Sequence, residues 1–270
     1  MTTASNTYLF SAEWEHERAR LAGLSAQFDA VTIRHLTTVG VGPGWRCLEV
    51  GGGAGSITRW LSEATGTTGR VVATDIDTRF LGDVSADNVE IRRHDVTSDP
   101  LEEDAFDLVH ARAVMEHVPG RRDVIARLAK SLRPNGVLVL EDLVFGGIDT
   151  PLWEKLARPA QQAPAVTRAM RAMAGGFRAV GADPEFGLEL PEALTAAGLR
   201  DVSAELTHRL VHGGSEESAF YALSLREVGP RLIAAGLLTS QDAEEVTALA
   251  QEPASRWLSL GMVTAWAWRR

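Results

Sequence analysis

The chain has 270 residues, 45% of them hydrophobic and 23% charged, with a formal net charge of −9 at pH 7. That length buries a full-sized core, and an acidic balance with no lysine or arginine block argues against nucleic acid or an anionic membrane as partner. A single cysteine, Cys47, excludes a disulfide framework and a thiolate zinc cluster; with no basic-then-apolar pattern at the start and no apolar run near the ~18 residues a membrane span needs, a cytoplasmic protein is expected.

From about Ala12 to Val39, Trp14, Leu21, Leu24, Phe28, Val31, Ile33 and Leu36 recur at helical spacing among charged residues, predicting one or two amphipathic helices. Gly40-Val41-Gly42-Pro43-Gly44 breaks that pattern. Short apolar strands are then predicted at Arg46–Val50, Arg70–Asp75, Val89–Arg93, Phe106–Ala111 and Val137–Asp142, separated by helices near Gly55–Ala64, Asp77–Gly82 and Arg122–Leu132. Such alternation means a parallel sheet covered on both faces. Arg133-Pro134-Asn135-Gly136 is the turn that launches the fifth strand. Between Phe145 and Pro184 the alternation stops, and Trp153, Met170, Met173, Phe177 and the Gly175-Gly176 break read as inserted helices, a lid. A short helix at Pro191–Gly198 and a strand at Asp201–Leu206 return to the core. Helices at Ser215–Val228, Arg231–Ala235 and Ser240–Ala250 and a closing strand at Leu260–Trp268 complete it. The expected division is a helical cap over 1–40, a core over 41–144 and 185–270, and a lid insert over 145–184.

In an open parallel sheet, ligands sit beyond the carboxyl ends of the strands, where the strand order reverses. The first strand ends in Glu49-Val50-Gly51-Gly52-Gly53-Ala54-Gly55, a turn whose glycines let the backbone approach a ligand. The second ends at Asp75, about 20 residues on, the distance at which an acid accepts both hydroxyls of a ribose; the alternative is that Asp75 caps the helix near Thr78. At the third strand end, in His94-Asp95-Val96, Asp95 suits an adenine amine and Val96 its face. The fourth ends at Ala111-Arg112.

These segments, with Phe106-Asp107-Leu108-Val109-His110-Ala111 and Leu132-Arg133-Pro134-Asn135-Gly136-Val137-Leu138, resemble the class I S-adenosylmethionine-dependent methyltransferase family over about Trp45 to Asp142. The resemblance implies an α/β fold: a doubly wound, Rossmann-like, mostly parallel seven-stranded sheet with N-terminal helices and a helical lid insert. It implies S-adenosylmethionine as cofactor and S-adenosylhomocysteine as product, with Glu49, Gly51, Gly53, Gly55, Asp75, Ile76, Asp95, Val96, Ala111 and Arg112 at the cofactor. Arg112 either pairs with the methionine carboxylate or makes a surface salt bridge. Tyr8, Phe10 and Trp14 either fold over the cofactor and acceptor as a flap or simply pack. His117 is the candidate general base, or only shapes its loop, whereas His110 reads as a satisfied core histidine. Phe145, Trp153, Met173 and Phe177 line an apolar acceptor pocket or form the insert's own core. No third ligand joins Glu141 and Asp142, so no metal is expected.

The expected function is methyl transfer to an oxygen or nitrogen of a small molecule, a specialised metabolite or peptide-derived product, by a monomer or homodimer. The alternative is a protein of the same fold that binds the cofactor without methyl transfer. A nicotinamide dehydrogenase ranks last, because Glu49 before the first glycine repels a pyrophosphate.

Overall fold

A computed structural model describes residues 9–10, 15–145 and 155–270. It divides into two compact units. One, here the sheet unit, comprises Asp29–Leu143, Phe186–Thr207 and Met262–Arg270; the other, the helical unit, comprises the described residues of Met1–Phe28, Val144–Glu185 and His208–Gly261.

The sheet unit contains β1 (Arg46–Val50), α2 (Ser56–Thr65), β2 (Arg70–Asp75), β3 (Val89–Arg93), β4 (Phe106–Arg112), α3 (Arg121–Ser131), β5 (Leu132–Val144), α5 (Leu190–Ala196), β6 (Arg200–Thr207) and β9 (Gly261–Trp268). The seven strands run in the order β3-β2-β1-β4-β5-β9-β6. The pairs β3 to β2, β2 to β1, β1 to β4 and β4 to β5 are parallel, while β9 pairs antiparallel with β6. The order therefore reverses between β1 and β4, whose ends lie side by side with Val50 opposite Ala111, where an open sheet places its ligand. The inner strands are apolar on both faces, with Leu48, Val71, Val72, Leu108, Val109, Val137 and Leu138 at most 1% exposed, as expected where helices cover both sides. Leu36 from the end of α1 (Glu17–Thr38) and Ile57 and Leu61 of α2 pack in one cluster with Cys47, Val71, Leu108, Val137 and Val139.

The helical unit holds α4 (Ala163–Ala179), α6 (Glu216–Ala234) and α7 (Ser240–Gln251), packed on one another, and a two-stranded ribbon of β7 (Leu210–His212) and β8 (Arg256–Leu258). Its centre is Tyr221, whose hydroxyl donates to Gln27 Oε1 and accepts from the Leu260 N–H, each at 3.0 Å, while its ring meets Trp257 edge-on at 5.5 Å. Ser215 and Thr239 cap α6 and α7 by accepting the N–H groups of Ser218 and Asp242.

Three expectations are corrected. The helix predicted at Asp77–Gly82 is a single 3-10 turn, Leu81–Asp83, because Asp75 and Asp77 bond the N–H groups of Asp77 and Arg79 and close local turns instead. The two helices predicted on either side of Pro230 are one, α6, with the proline inside it; packing against α4 and α7 outweighs the lost backbone bond. Residues 208–261, expected in the core, cluster with the helices because their apolar faces pack on α4 and on each other. Among the described residues no helix is long and apolar enough to cross a membrane.

Candidate ligand site at the strand ends

Gly51, Gly53 and Gly55 have φ of +71°, +54° and +77°, the left-handed region in which a side chain is strained. Space enforces glycine as well. A Cβ on Gly51 would stand 2.3 Å from Val114 Cγ2, and one on Gly55 2.4 Å from Val84 Cγ2. The turn is tied to β2, since the Gly51 and Gly52 N–H groups both donate to the Thr74 carbonyl at 2.8 and 3.0 Å, and Gly53 N–H donates to Asp75 Oδ2 at 3.0 Å. The second Asp75 oxygen accepts the Asp77 N–H at 3.0 Å.

Asp75 is thus a brace for the glycine turn, and there is no helix at Thr78 for it to cap. Burial pushes its carboxyl above the usual range, opposed by the N–H groups of Asp77 and Gly53. A carboxylate short of solvent gains most from further hydroxyl donors. Beside it Ile76 is 57% exposed, an apolar platform at the rim of the turn of the kind that flat rings cover. Val96 is buried near the end of β3, but the Asp95 carboxylate is engaged in its own loop, accepting Thr97 N–H at 2.9 Å and Thr97 Oγ1 at 2.6 Å. The Thr97 hydroxyl holds the Asp95 carboxyl below its usual range.

The Glu49 and Arg112 side chains, expected at the cofactor, are committed elsewhere. Glu49 is opposite His110 in the β1–β4 register, so both project to one face, and Glu49 Oε2 lies 2.7 Å from His110 Nδ1. On the other side, His110 Nε2 lies 3.3 Å from Glu141 Oε2. Thr32 Oγ1 donates to Glu141 Oε2 at 2.5 Å and Thr264 Oγ1 to Oε1 at 2.6 Å. Burial pushes the His110 imidazole down, but the two flanking carboxylates outweigh it and hold the ring at about 9. The same imidazolium, with Arg112 and the Thr264 hydroxyl, overcomes burial at Glu141 and holds it at about 2. The Arg112 guanidinium donates to Asp29 Oδ1 at 2.7 Å and Thr32 Oγ1 at 2.9 Å, pinning α1 to the end of β4.

After β4 the chain turns sharply. Ala113 takes φ +53°, a strained value for a residue with a side chain, and its N–H donates to the Glu141 carbonyl at 2.7 Å. Val114 N–H donates to Asp142 Oδ1 at 3.1 Å, and the 3-10 turn Met115–His117 follows. His117 Nε2 lies 3.3 Å from Glu116 Oε1. Ala113, Val114 and Asp29 are parts of this region to which sequence reasoning gave no role, whereas Asp142 was noted beside Glu141 as an acid at the end of the fifth strand.

Of the residues expected at the acceptor, Tyr8, Trp14 and Trp153 lie outside the described residues. Phe10, Phe145, Met173 and Phe177 are buried together in the helical unit, with Phe177 6.2 Å from Phe10 and 5.3 Å from Phe145 between ring centroids.

Residues 48–140 match the family described as a methyltransferase domain. The ubiquinone/menaquinone biosynthesis C-methyltransferase UbiE of Ectopseudomonas mendocina is 33% identical over 126 residues, 43% of this chain and 48% of that protein. The methyltransferase str2 of Strobilurus tenacellus is 27% identical over 186 residues, 68% of this chain and 63% of that one. GfsG, a methyltransferase of Streptomyces halstedii, is 32% identical over 123 residues, 40% of this chain and 41% of its own. The chain thus spans about half the length of the curated relatives it matches. Two solved structures share the fold: the phosphoethanolamine N-methyltransferase 2 of Haemonchus contortus (TM-score 0.61, 12% identity, 100% of this chain and 61% of that one) and YcgJ of Bacillus subtilis (TM-score 0.57, 16% identity, 90% and 99%).

Proposed function

The chain carries, over residues 48–140, a domain of the class I S-adenosylmethionine-dependent methyltransferase family, and from that premise we propose that it transfers a methyl group to an oxygen or nitrogen of a small molecule, a specialised metabolite or peptide-derived product. The observation that carries the proposal is the glycine turn braced by Asp75, with Ile76 exposed beside it. This cradle fits a nucleoside with an attached chain: Gly51, Gly53 and Gly55 hold the turn in a left-handed backbone that side chains strain, Asp75 gives acceptors for ribose hydroxyls, and Ile76 and Val96 give apolar faces for the base. S-adenosylmethionine, when bound, supplies a methyl group already activated on a sulfonium.

The protein's own contribution is then alignment, exclusion of water and removal of a proton. His117 is the residue proposed to take the acceptor's proton, and Glu116 Oε1, 3.3 Å from Nε2, stabilises the imidazolium that forms. The acidic chain supports a small acceptor over nucleic acid.

The test is incubation with methyl-13C-labelled S-adenosylmethionine and a panel of hydrophobic hydroxyl, amine and activated-carbon compounds, read by NMR. New O–CH3 or N–CH3 signals are expected. Transfer to carbon would correct the atom, and cofactor binding without transfer to any compound would favour a protein that binds without catalysis.

A further inference from the structure

One buried acid at the strand ends keeps a carboxyl oxygen that none of the groups described so far engages. Asp142, the residue after Glu141 on β5, is 1% exposed. Its Oδ1 accepts the Val114 N–H at 3.1 Å, and its Oδ2 is buried with no hydrogen-bond partner. The turn that receives that bond also carries Glu116, itself 1% exposed, and the Glu116 carboxylate is the charge that most disfavours ionisation of Asp142. Where burial and a neighbouring acid's charge both oppose ionisation, one acid of the two keeps its proton. Burial first, then the neighbouring Glu116 charge, hold Asp142 well above the carboxylate range, against the N–H groups of Glu116 and Val114 and the Arg121 guanidinium. Arg121 is engaged with the Val118 carbonyl and stacked over the Phe186 ring, 5.1 Å from its centroid. On its other side, Glu116 presents Oε1 to His117 Nε2 at 3.3 Å.

We propose that Asp142 and Glu116 form a carboxyl pair holding one proton and one negative charge, and that the charge rests on Glu116 against His117. Asp142 and Glu116 are then positioning residues: they orient the His117 ring and raise its appetite for a proton, while Asp142, kept neutral, prevents a second buried charge from forming. In the proposed reaction His117 would take the acceptor's proton, and S-adenosylmethionine, when bound, would supply the methyl group. The imidazolium formed faces one carboxylate, and no proton need enter the pair. This rests on the reading of His117 as the base, but the pair itself is testable without an acceptor.

The experiment is an NMR titration of the full chain with labelled histidine, loaded with S-adenosylhomocysteine, with the His117 signal assigned by its loss in His117→Gln. The pair predicts that Glu116→Gln lowers the His117 midpoint by about one pH unit or more, the usual effect of losing an adjacent opposite charge. Asp142→Asn, which fixes the neutral form, leaves the midpoint unchanged, and Glu116→Gln with Asp142→Asn lowers it further than Glu116→Gln alone, because Asp142 no longer ionises in compensation. Equal falls in the two single variants would mean that both acids are charged, and an unmoved midpoint in Glu116→Gln would mean that Glu116 does not reach the ring; either overturns the proposal. Should a variant fail to fold, infrared spectroscopy of the wild type decides: a protonated carboxyl stretch persisting at pH 7 is expected, and its absence refutes the pair. Failure of S-adenosylhomocysteine to bind would strike the proposed function and leave the titration, run on the unloaded chain, to judge the pair.

Discussion

Replacing His110 by Gln removes the one cation between Glu49 and Glu141. In the native chain the imidazole bridges the two acids at 2.7 and 3.3 Å with no solvent exposure. Its rise from 6.5 to about 9 is worth about 3 kcal/mol at ~1.36 kcal/mol per pH unit. A histidine whose folded value lies above its unfolded one stabilises fully below the unfolded value, so this contribution is present at pH 6 and is lost as pH rises from 6.5 through about 9. Gln also takes the shared cation from two buried carboxylates, leaving Glu141 only the charge of Arg112, and uncompensated buried charge costs about 3–5 kcal/mol. Urea denaturation followed by circular dichroism, at pH steps from 6 to 10, should show wild-type stability falling by about 3 kcal/mol across that window. His110→Gln should be less stable by about 3 kcal/mol or more at pH 6 and nearly flat from 6.5 to 9. A variant as stable as wild type at pH 6, or one with the same alkaline slope, would show that His110 is not the charged bridge.

Other substitutions separate close packing from surface decoration. Gly51→Ala should cost about 2 kcal/mol and weaken S-adenosylhomocysteine binding in calorimetry, since its Cβ would press on Val114 at a φ of +71°. Arg112→Gln should lower stability by about 1.5–3 kcal/mol, the usual worth of hydrogen bonds to a charged group, because it frees Asp29 and Thr32 of α1; urea midpoints measure it. By contrast, Arg122→Ala should change stability by less than about 0.5 kcal/mol although Arg122 Nη2 lies 2.5 Å from Glu189, since both side chains are about half exposed. A large loss there would mean that the surface pair is stronger than screening allows.

The sheet was readable because its signal is local. Val71, Val72 and Ala73 form an apolar run that ends at an acid, and the first three strands have the bounds their sequence predicts. What escaped depends on contacts between distant residues. Glu49 and His110 are 61 positions apart and meet only because β1 and β4 are neighbours in parallel register, a fact of topology. Asp142 likewise meets Val114 only across the end of β4. Ribbon strands such as β7 and β8 are three residues each, too short for alternation to stand out. Pro230 misled in the opposite direction, because its local penalty is real but smaller than the packing it interrupts. The glycine turn was legible for a firmer reason: positive φ and absent space both demand glycine at the same residues.

The central claim is that the braced turn at the β1 and β2 ends holds a nucleoside cofactor. Isothermal titration of the chain with S-adenosylhomocysteine, beside Asp75→Ala checked for retained fold by circular dichroism, tests it most directly. Micromolar binding, about −8 kcal/mol, that weakens tenfold or more in the folded variant is the predicted result. No binding to the folded wild type, or binding indifferent to Asp75→Ala, would contradict it.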